Sequence, residues 1–201
     1  MPSYPVNLVV EGKPVLVVGG GRVATGKVRR LVDAGARVTC VAPEVSDEIV
    51  AMAGVTVERR RYERGEVARY RLAVTATGTA VDAHVFEDGE AAGVWVNAAD
   101  DPAHCSFTLP AVARRGAIQV AVSTDGQSPA MASWLRSRFE QELGPEYETL
   151  LRILHEERDA LRSTGTPTEG LAWREALDSG LLDLVREGRV TEAREHLRKC
   201  L

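Results

Sequence analysis

The chain has 201 residues, 44% hydrophobic and 27% charged, with a formal net charge of −4; a chain of this size can bury roughly 70% of its unfolded surface, which excludes a disordered protein. Basic and acidic residues are spread through both halves rather than gathered into a basic face or tail, which argues against a nucleic-acid partner. Cys40, Cys105 and Cys200 are odd in number and far apart, so neither a disulfide framework nor a CxxC metal site is expected.

The first residues, "MPSYPVNLVVEGKP", lack a charged start followed by a long apolar run. No stretch approaches the roughly 18 apolar residues of a membrane span, so a cytoplasmic protein with no membrane partner is expected. Short apolar runs then alternate with helix-length amphipathic stretches, the pattern of a parallel sheet flanked by helices. Strands are predicted at Pro14–Val18, Arg37–Ala42, Val55–Arg60, Leu72–Thr77 and Val94–Ala98. Runs such as "VLVV" and "LAVTAT" are apolar throughout, as strands buried on both faces should be. The fold class is therefore α/β, a Rossmann-like doubly wound sheet.

After Asp101 the rhythm changes: "SFTLPAVARRGAIQVAVSTDG" offers two strand-like segments around the turn signal "RRG", a hairpin or edge extension rather than another βαβ unit. Next, "SPAMASWLRSRFEQEL" predicts a helix with Pro129 near its start. Met131, Leu135, Phe139 and Leu143 recur every four residues and are expected to keep one face buried. From about Glu146 onward the chain reads as helical, interrupted at "STGTPTEG". The expected organisation is an α/β domain over residues 1–113, a hairpin-and-helix region over 114–145 and a helical domain over 146–201.

In "GGGRVA", Gly19, Gly21 and Ala24 occupy the three positions of G-x-G-x-x-G/A, after an apolar strand and before an amphipathic helix beginning near Arg22. Gly19 permits the tight turn, Gly21 removes a side chain from the path of a pyrophosphate, and Ala24 lets the helix lie close to the sheet. Free N–H groups of Gly20 to Val23 at the positive helix end would then meet the phosphates. Beyond the second strand, Pro43 and Glu44 sit where a ribose is bound. Glu44 lies 25 positions past Gly19, against about 20 expected for a ribose carboxylate, so it modestly favours NAD over NADP. Glu44 reads equally well as a charge at a helix N-terminus.

Residues Val96–Arg136, "VNAADDPAHCSFTLPAVARRGAIQVAVSTDGQSPAMASWLR", together with "VVGGGRVATGKVRRLVDAGARVTCVAP", resemble the precorrin-2 dehydrogenases of sirohaem biosynthesis. That family includes the N-terminal part of the sirohaem synthases and the yeast-type bifunctional dehydrogenase/ferrochelatase. The similarity runs in register from about Val6 to Leu143. It implies NAD-dependent oxidation of precorrin-2 to sirohydrochlorin by a homodimer whose dimerisation region, 114–145, follows an NAD-binding domain, 1–113, with Fe²⁺ insertion by the same site in some members. The family's N-x-x-D motif reads Asn97-Ala98-Ala99-Asp100, which marks Asp100 as the catalytic residue and Asn97 as a cofactor neighbour. The strand-end motif Ser123–Pro129 places Thr124 and Ser128 near the tetrapyrrole, although both read as well as turn or cap hydroxyls.

The physical case agrees with this assignment. Open α/β sheets bind ligands beyond the carboxyl ends of their strands, and a carboxylate there could take the proton that accompanies hydride loss. Asp100 alone, in the turn-rich "ADDP", could equally bond its own backbone. Relatives carry acids after the fourth strand where this chain has "TATGTA"; Thr77 and Gly78 can line the nicotinamide side, without those acids. His104 and Cys105 invite a metal reading, but adjacent side chains seldom converge on one ion, and no metal site is expected. Arg59, Arg60, Arg61 and Arg64 read as a solvated strand end or as partners for substrate carboxylates. Two rivals stand beside the dehydrogenase: an enzyme that also inserts iron, and a non-catalytic module that binds NAD or a tetrapyrrole.

Overall fold

The computed structural model describes residues 3–201, and the chain divides into two compact units, Tyr4–Leu109 and Pro110–Leu201 with Ser3. The first unit contains β1 (Pro14–Val18), α1 (Arg22–Asp33), β2 (Arg37–Val41), α2 (Asp47–Val50), β3 (Val55–Glu58), β4 (Leu72–Thr75), α3 (Val81–Ala92) and β5 (Trp95–Ala98). Its strands form one parallel sheet in the order β3-β2-β1-β4-β5. β1 is the hub: Val15–Val18 pair with Val38–Val41 on one side and with Leu72–Thr75 on the other.

Since β1 has no free edge and no solvent face, its side chains alternate between two cores. Val15 and Val17 pack with Val28 of α1, Cys40 of β2 and Ile49 of α2. Leu16 and Val18 pack with Val67, Val85 of α3 and Val96 of β5. Each such side chain contributes about 1.5–3 kcal/mol by leaving water. The chain runs outward from β1 to β2 and β3, then returns across the sheet to β4. Connections therefore leave β1 and β4 in opposite directions, opening a crevice at their carboxyl ends.

The strands are shorter than the apolar runs suggested, for local reasons. Ala76 still donates to Val18 O at 2.8 Å, but the next amide, Thr77, turns to Asp82. Val94 belongs to the end of α3: Gly93 adopts φ 67°, and the Val94 amide donates to Gly89 O at 2.9 Å. Past β3, Arg60 is drawn out of strand geometry into an ion cluster. It bonds Glu58 and the buried Glu66, which also accepts from Arg69 and from the Glu63 amide. Arg64 pairs with Glu87 and Asp88 of α3. Arg60 and Arg64 thus spend their guanidinium groups on this chain's own carboxylates, while Arg59 and Arg61 stay exposed.

The second unit opens with an antiparallel hairpin, β6 (Ala111–Arg115) and β7 (Ile118–Val122), turning through Gly116 at φ 53°. Helix α4 (Pro129–Glu142) follows, started by Pro129 and by Ser128, whose Oγ accepts from the Met131 amide at 3.1 Å. The expected buried stripe on α4 needs correction. Met131 is 54% and Phe139 39% exposed, whereas Ala132 and Leu143 are buried. A four-residue step advances about 40° around a helix, so four such positions spread over roughly 120° and do not share one face. The rest is helical: α5 (Pro145–Ser163), α6 (Trp173–Ala176), a π-helical turn kinked at Gly180, α7 (Leu182–Arg186) and α8 (Val190–Cys200). Leu150, Ile153, Leu181, Val185 and Leu197 make its core, with Trp173 packed against it.

Burial alone would raise the Glu66 carboxyl, yet the Arg60 guanidinium, the Glu63 amide and Arg69 together hold it below the ordinary carboxylate range. That stabilisation is present above the unfolded-state value and is lost as pH falls through the depressed folded one. Glu66→Gln is therefore expected to lower unfolding free energy by about 1–3 kcal/mol at neutral pH. The deficit should shrink as pH falls into the carboxylate range, which urea unfolding at a series of pH values will read.

Candidate functional site

The β1–α1 turn is fixed by backbone approaching backbone. Gly19 has φ 122°, and a Cβ there would lie 2.7 Å from Ala76 O, at the end of β4. A Cβ on Gly20 would lie 2.0 Å from Glu44 O, after β2. Hydrogen bonds lock these approaches: Gly19 N to Val41 O at 3.0 Å, Ser46 N to Gly20 O at 3.0 Å, and Thr25 Oγ1 to both Gly21 O and Ser46 Oγ at 3.0 Å. Gly21 differs, because a Cβ built on it meets nothing within 4 Å. It stands at the N-cap of α1 with no side-chain cap bond and no acid in the first turn. The amides of Arg22, Val23 and Ala24 thus have no partner within the helix, and the turn at Gly21 opens beside the exposed Arg22 and Val23. A negatively charged diphosphate suits this opening, where among the described residues nothing lies within 4 Å of a Cβ built on Gly21.

The other predicted nucleotide residues gather along the same edge of the sheet. Pro43 and Glu44 are exposed in the β2–α2 connection. The Glu44 side chain makes no hydrogen bond among the described residues, and it precedes the first turn of α2, which begins at Asp47. Thr77 and Gly78 form the β4–α3 turn. That turn is held by a residue the sequence reading missed: Asp82, 4% exposed on α3. Its Oδ1 accepts from the Thr77 amide at 3.2 Å, from Thr77 Oγ1 at 2.7 Å and from the Thr75 hydroxyl, and its Oδ2 accepts from the Gly78 amide at 2.8 Å. The "TAVD" spacing before the helix, close to a capping box, was the available signal.

At the end of β5 the chain folds back on itself. Asn97 is buried, and its Nδ2 donates to Phe107 O at 2.9 Å; Val96 exchanges bonds with Ser106 through Ser106 Oγ and the Ser106 amide. Residues 105–107 thereby cover the free edge of β5. Asp100 stands at the head of this loop with φ 62°, a left-handed conformation unusual outside glycine. It is exposed, and its carboxylate makes no hydrogen bond among the described residues, so the turn-capping alternative is not what is observed. Asp101 instead accepts from His104 Nδ1 at 2.6 Å. Cys105 Sγ lies 3.3 Å from the carbonyls of Ala98 and Asp101, and burial raises its thiol. Lys27 of α1 is the nearby cation. Burial, helped by Arg30, holds its ammonium below the ordinary lysine range, with Asp100 and Cys105 pulling the other way.

Thr124 and Ser128 lie in the second unit and bond each other: Thr124 Oγ1 donates to Ser128 O at 3.2 Å and accepts from the Ser128 amide at 3.1 Å. Both hydroxyls serve the turn and the cap of α4. Among the described residues no group of three or more His, Cys, Asp or Glu is placed to hold a metal ion. No helix among them is long and apolar enough to cross a membrane.

The contrast between Gly20 and Gly21 gives a test. Gly21→Ala should leave unfolding free energy within about 0.5 kcal/mol of the parent, yet weaken dinucleotide binding about tenfold or more by calorimetric titration. Gly20→Ala should lower stability itself, by about 1–3 kcal/mol, because its Cβ meets backbone.

Comparison with known proteins agrees with this geometry. A family profile described as "Putative NAD(P)-binding" matches residues 6–111, and one described as sirohaem biosynthesis protein, central, matches residues 115–142. The siroheme synthase of Nitrosococcus oceani is 32% identical over all of this chain and 44% of its own length. That of Thioalkalivibrio sulfidiphilus is 36% identical over all of this chain and 42% of its own. The chain thus spans less than half the length of these relatives. A solved structure, "SirC, precorrin-2 dehydrogenase", superposes with a TM-score of 0.75 at 27% identity, covering 98% of this chain and 100% of that one. With that profile covering more than half of its length, around the glycine turn and the β5 loop, the chain belongs to the putative NAD(P)-binding family.

Proposed function

We propose that the protein is an NAD-dependent precorrin-2 dehydrogenase, oxidising precorrin-2 to sirohydrochlorin. One observation carries the reading: an uncapped helix N-terminus opened at Gly21 and an unbonded carboxylate at Asp100 share the carboxyl edge of one parallel sheet. The full-length likeness to a precorrin-2 dehydrogenase structure supports the substrate, and the exposed Glu44 after β2 supports NAD over NADP through a ribose hydroxyl.

When bound, the dinucleotide supplies the hydride acceptor. The chain's residues do the rest. Amides of Gly20 to Val23 hold the diphosphate, and the Asp82-braced turn at Thr77 and Gly78 lines the nicotinamide side. Asn97 keeps the β5 end in place through Phe107, and Asp100 meets the substrate and orients it, near enough to stabilise positive charge or accept a proton. The protein acts as a homodimer, supported by Met131, Trp134 and Phe139, large apolar side chains that α4 leaves exposed.

Supplying precorrin-2 and NAD⁺ should yield sirohydrochlorin absorbance with equimolar NADH. Asp100→Ala should lower turnover about 10²-fold or more while NAD affinity changes by less than about 0.5 kcal/mol. Parental turnover in that variant would remove Asp100 from the reaction. NAD binding by the parent without any oxidation would favour a non-catalytic module instead.

A further inference from the structure

The β5 loop carries a second ionisable arrangement, one that Asp100 does not account for. Asp101 and His104 lie three residues apart across the short 3-10 turn Pro102–His104, which the His104 amide closes on Asp101 O at 3.2 Å. His104 Nδ1 is 2.6 Å from Asp101 Oδ2. An ionised carboxylate can only accept, so the Nδ1 position carries the proton and, in the neutral ring, Nε2 keeps its lone pair. Phe86 of α3 fixes the ring from the side, edge to face with centroids 5.6 Å apart. The His104 and Asp101 side chains are 35% and 39% exposed, so the pair is open to solvent. Among the described residues Nε2 has no hydrogen-bond partner.

We propose that Asp101 and His104 form a carboxylate–imidazole dyad that takes up the proton released in the dehydrogenation, working beside Asp100; the inference rests on the functional reading above. One substrate carbon gives its hydride to NAD⁺, which becomes NADH. A neighbouring C–H or N–H bond loses its proton, and the electron pair left behind forms the new double bond. His104 Nε2 accepts that proton, Asp101 stabilises the imidazolium, and the proton passes to solvent before the next turnover. Asp100 is thereby left with orienting the substrate.

The groups around the ring are few. On its own loop stand Asp100, Asp101 and Cys105. On α3, Asp82 is turned to Thr77 and Gly78, Glu87 and Asp88 pair with Arg64, and His84 and Glu90 are exposed. On α1, Lys27 senses Asp100 and Cys105.

The test is the pH profile of kcat/KM for the parent, His104→Gln and Asp101→Asn, with NAD affinity and urea unfolding measured alongside. The parent should lose activity on the acid side, where a protonated Nε2 can no longer accept a proton. His104→Gln should fall about 10²-fold at neutral pH, lose that acid limb, keep its NAD affinity and regain turnover with added imidazole. Asp101→Asn should move the limb to lower pH, since the imidazolium loses its partner. Nitrogen chemical shifts of His104 in the ligand-free protein should show the Nδ1-protonated tautomer. Turnover by His104→Gln with an unchanged profile, or an Nε2-protonated ring, would overturn the dyad alone. No turnover in the parent would overturn the functional reading beneath it.

Discussion

The close approach of the glycine turn to the strand ends on either side governs the rest of the structure. Gly19 lies against Ala76 O and Gly20 against Glu44 O so tightly that neither position has room for a β-carbon. This contact ties the exits of β1, β2 and β4 into one edge. It also aims α1 so that its first amides and the bare Gly21 face open space rather than protein. A helix end buried without partners would be costly, and one exposed without a cap is ready to take an anion.

From that constraint the division of labour follows. Side chains that look reactive are mostly committed to holding the edge in shape. Asp82 satisfies two amides and two hydroxyls of the β4–α3 turn, Asn97 ties the β5 end to Phe107, and Thr25 with Ser46 brace the glycine turn. Cys40, beneath the turn, has its thiol pushed up to about 11 by burial and remains a packing residue. Among the described residues, groups left unbonded at the edge include the α1 amides, Arg22, Glu44, Lys27, Asp100 and the Nε2 of His104. Diphosphate, ribose, substrate and proton can each be matched to one of these. The proposed chemistry thus falls on groups for which the fold has no structural use.

Much of this was legible in the sequence because it depends on local pattern. An apolar run ending in Gly-x-Gly before an amphipathic stretch dictates strand, turn and helix without reference to distant residues. The five parallel strands and the hairpin at "RRG" follow from the same kind of signal. Strand ends were overextended because Thr77 and Arg60 are apolar-run neighbours whose hydrogen bonds go to residues further along, Asp82 and Glu66. The α4 stripe failed because a four-residue step rotates around the helix and so cannot mark a single face. The Asp101–His104 pair was hidden for a further reason. Three-residue spacing in a loop brings these two side chains together through a 3-10 turn, and "DPAH" signals a turn without specifying that kind.

The central claim is that a dinucleotide lying over Gly21 puts its nicotinamide beside Asp100. A crystal structure of the protein with NAD⁺ tests this most directly. The account expects the diphosphate on the amides of residues 20–23, with the nicotinamide between the Thr77–Gly78 turn and the β5 loop. A dinucleotide bound with its diphosphate away from the start of α1, or its nicotinamide directed away from residue 100, would contradict it.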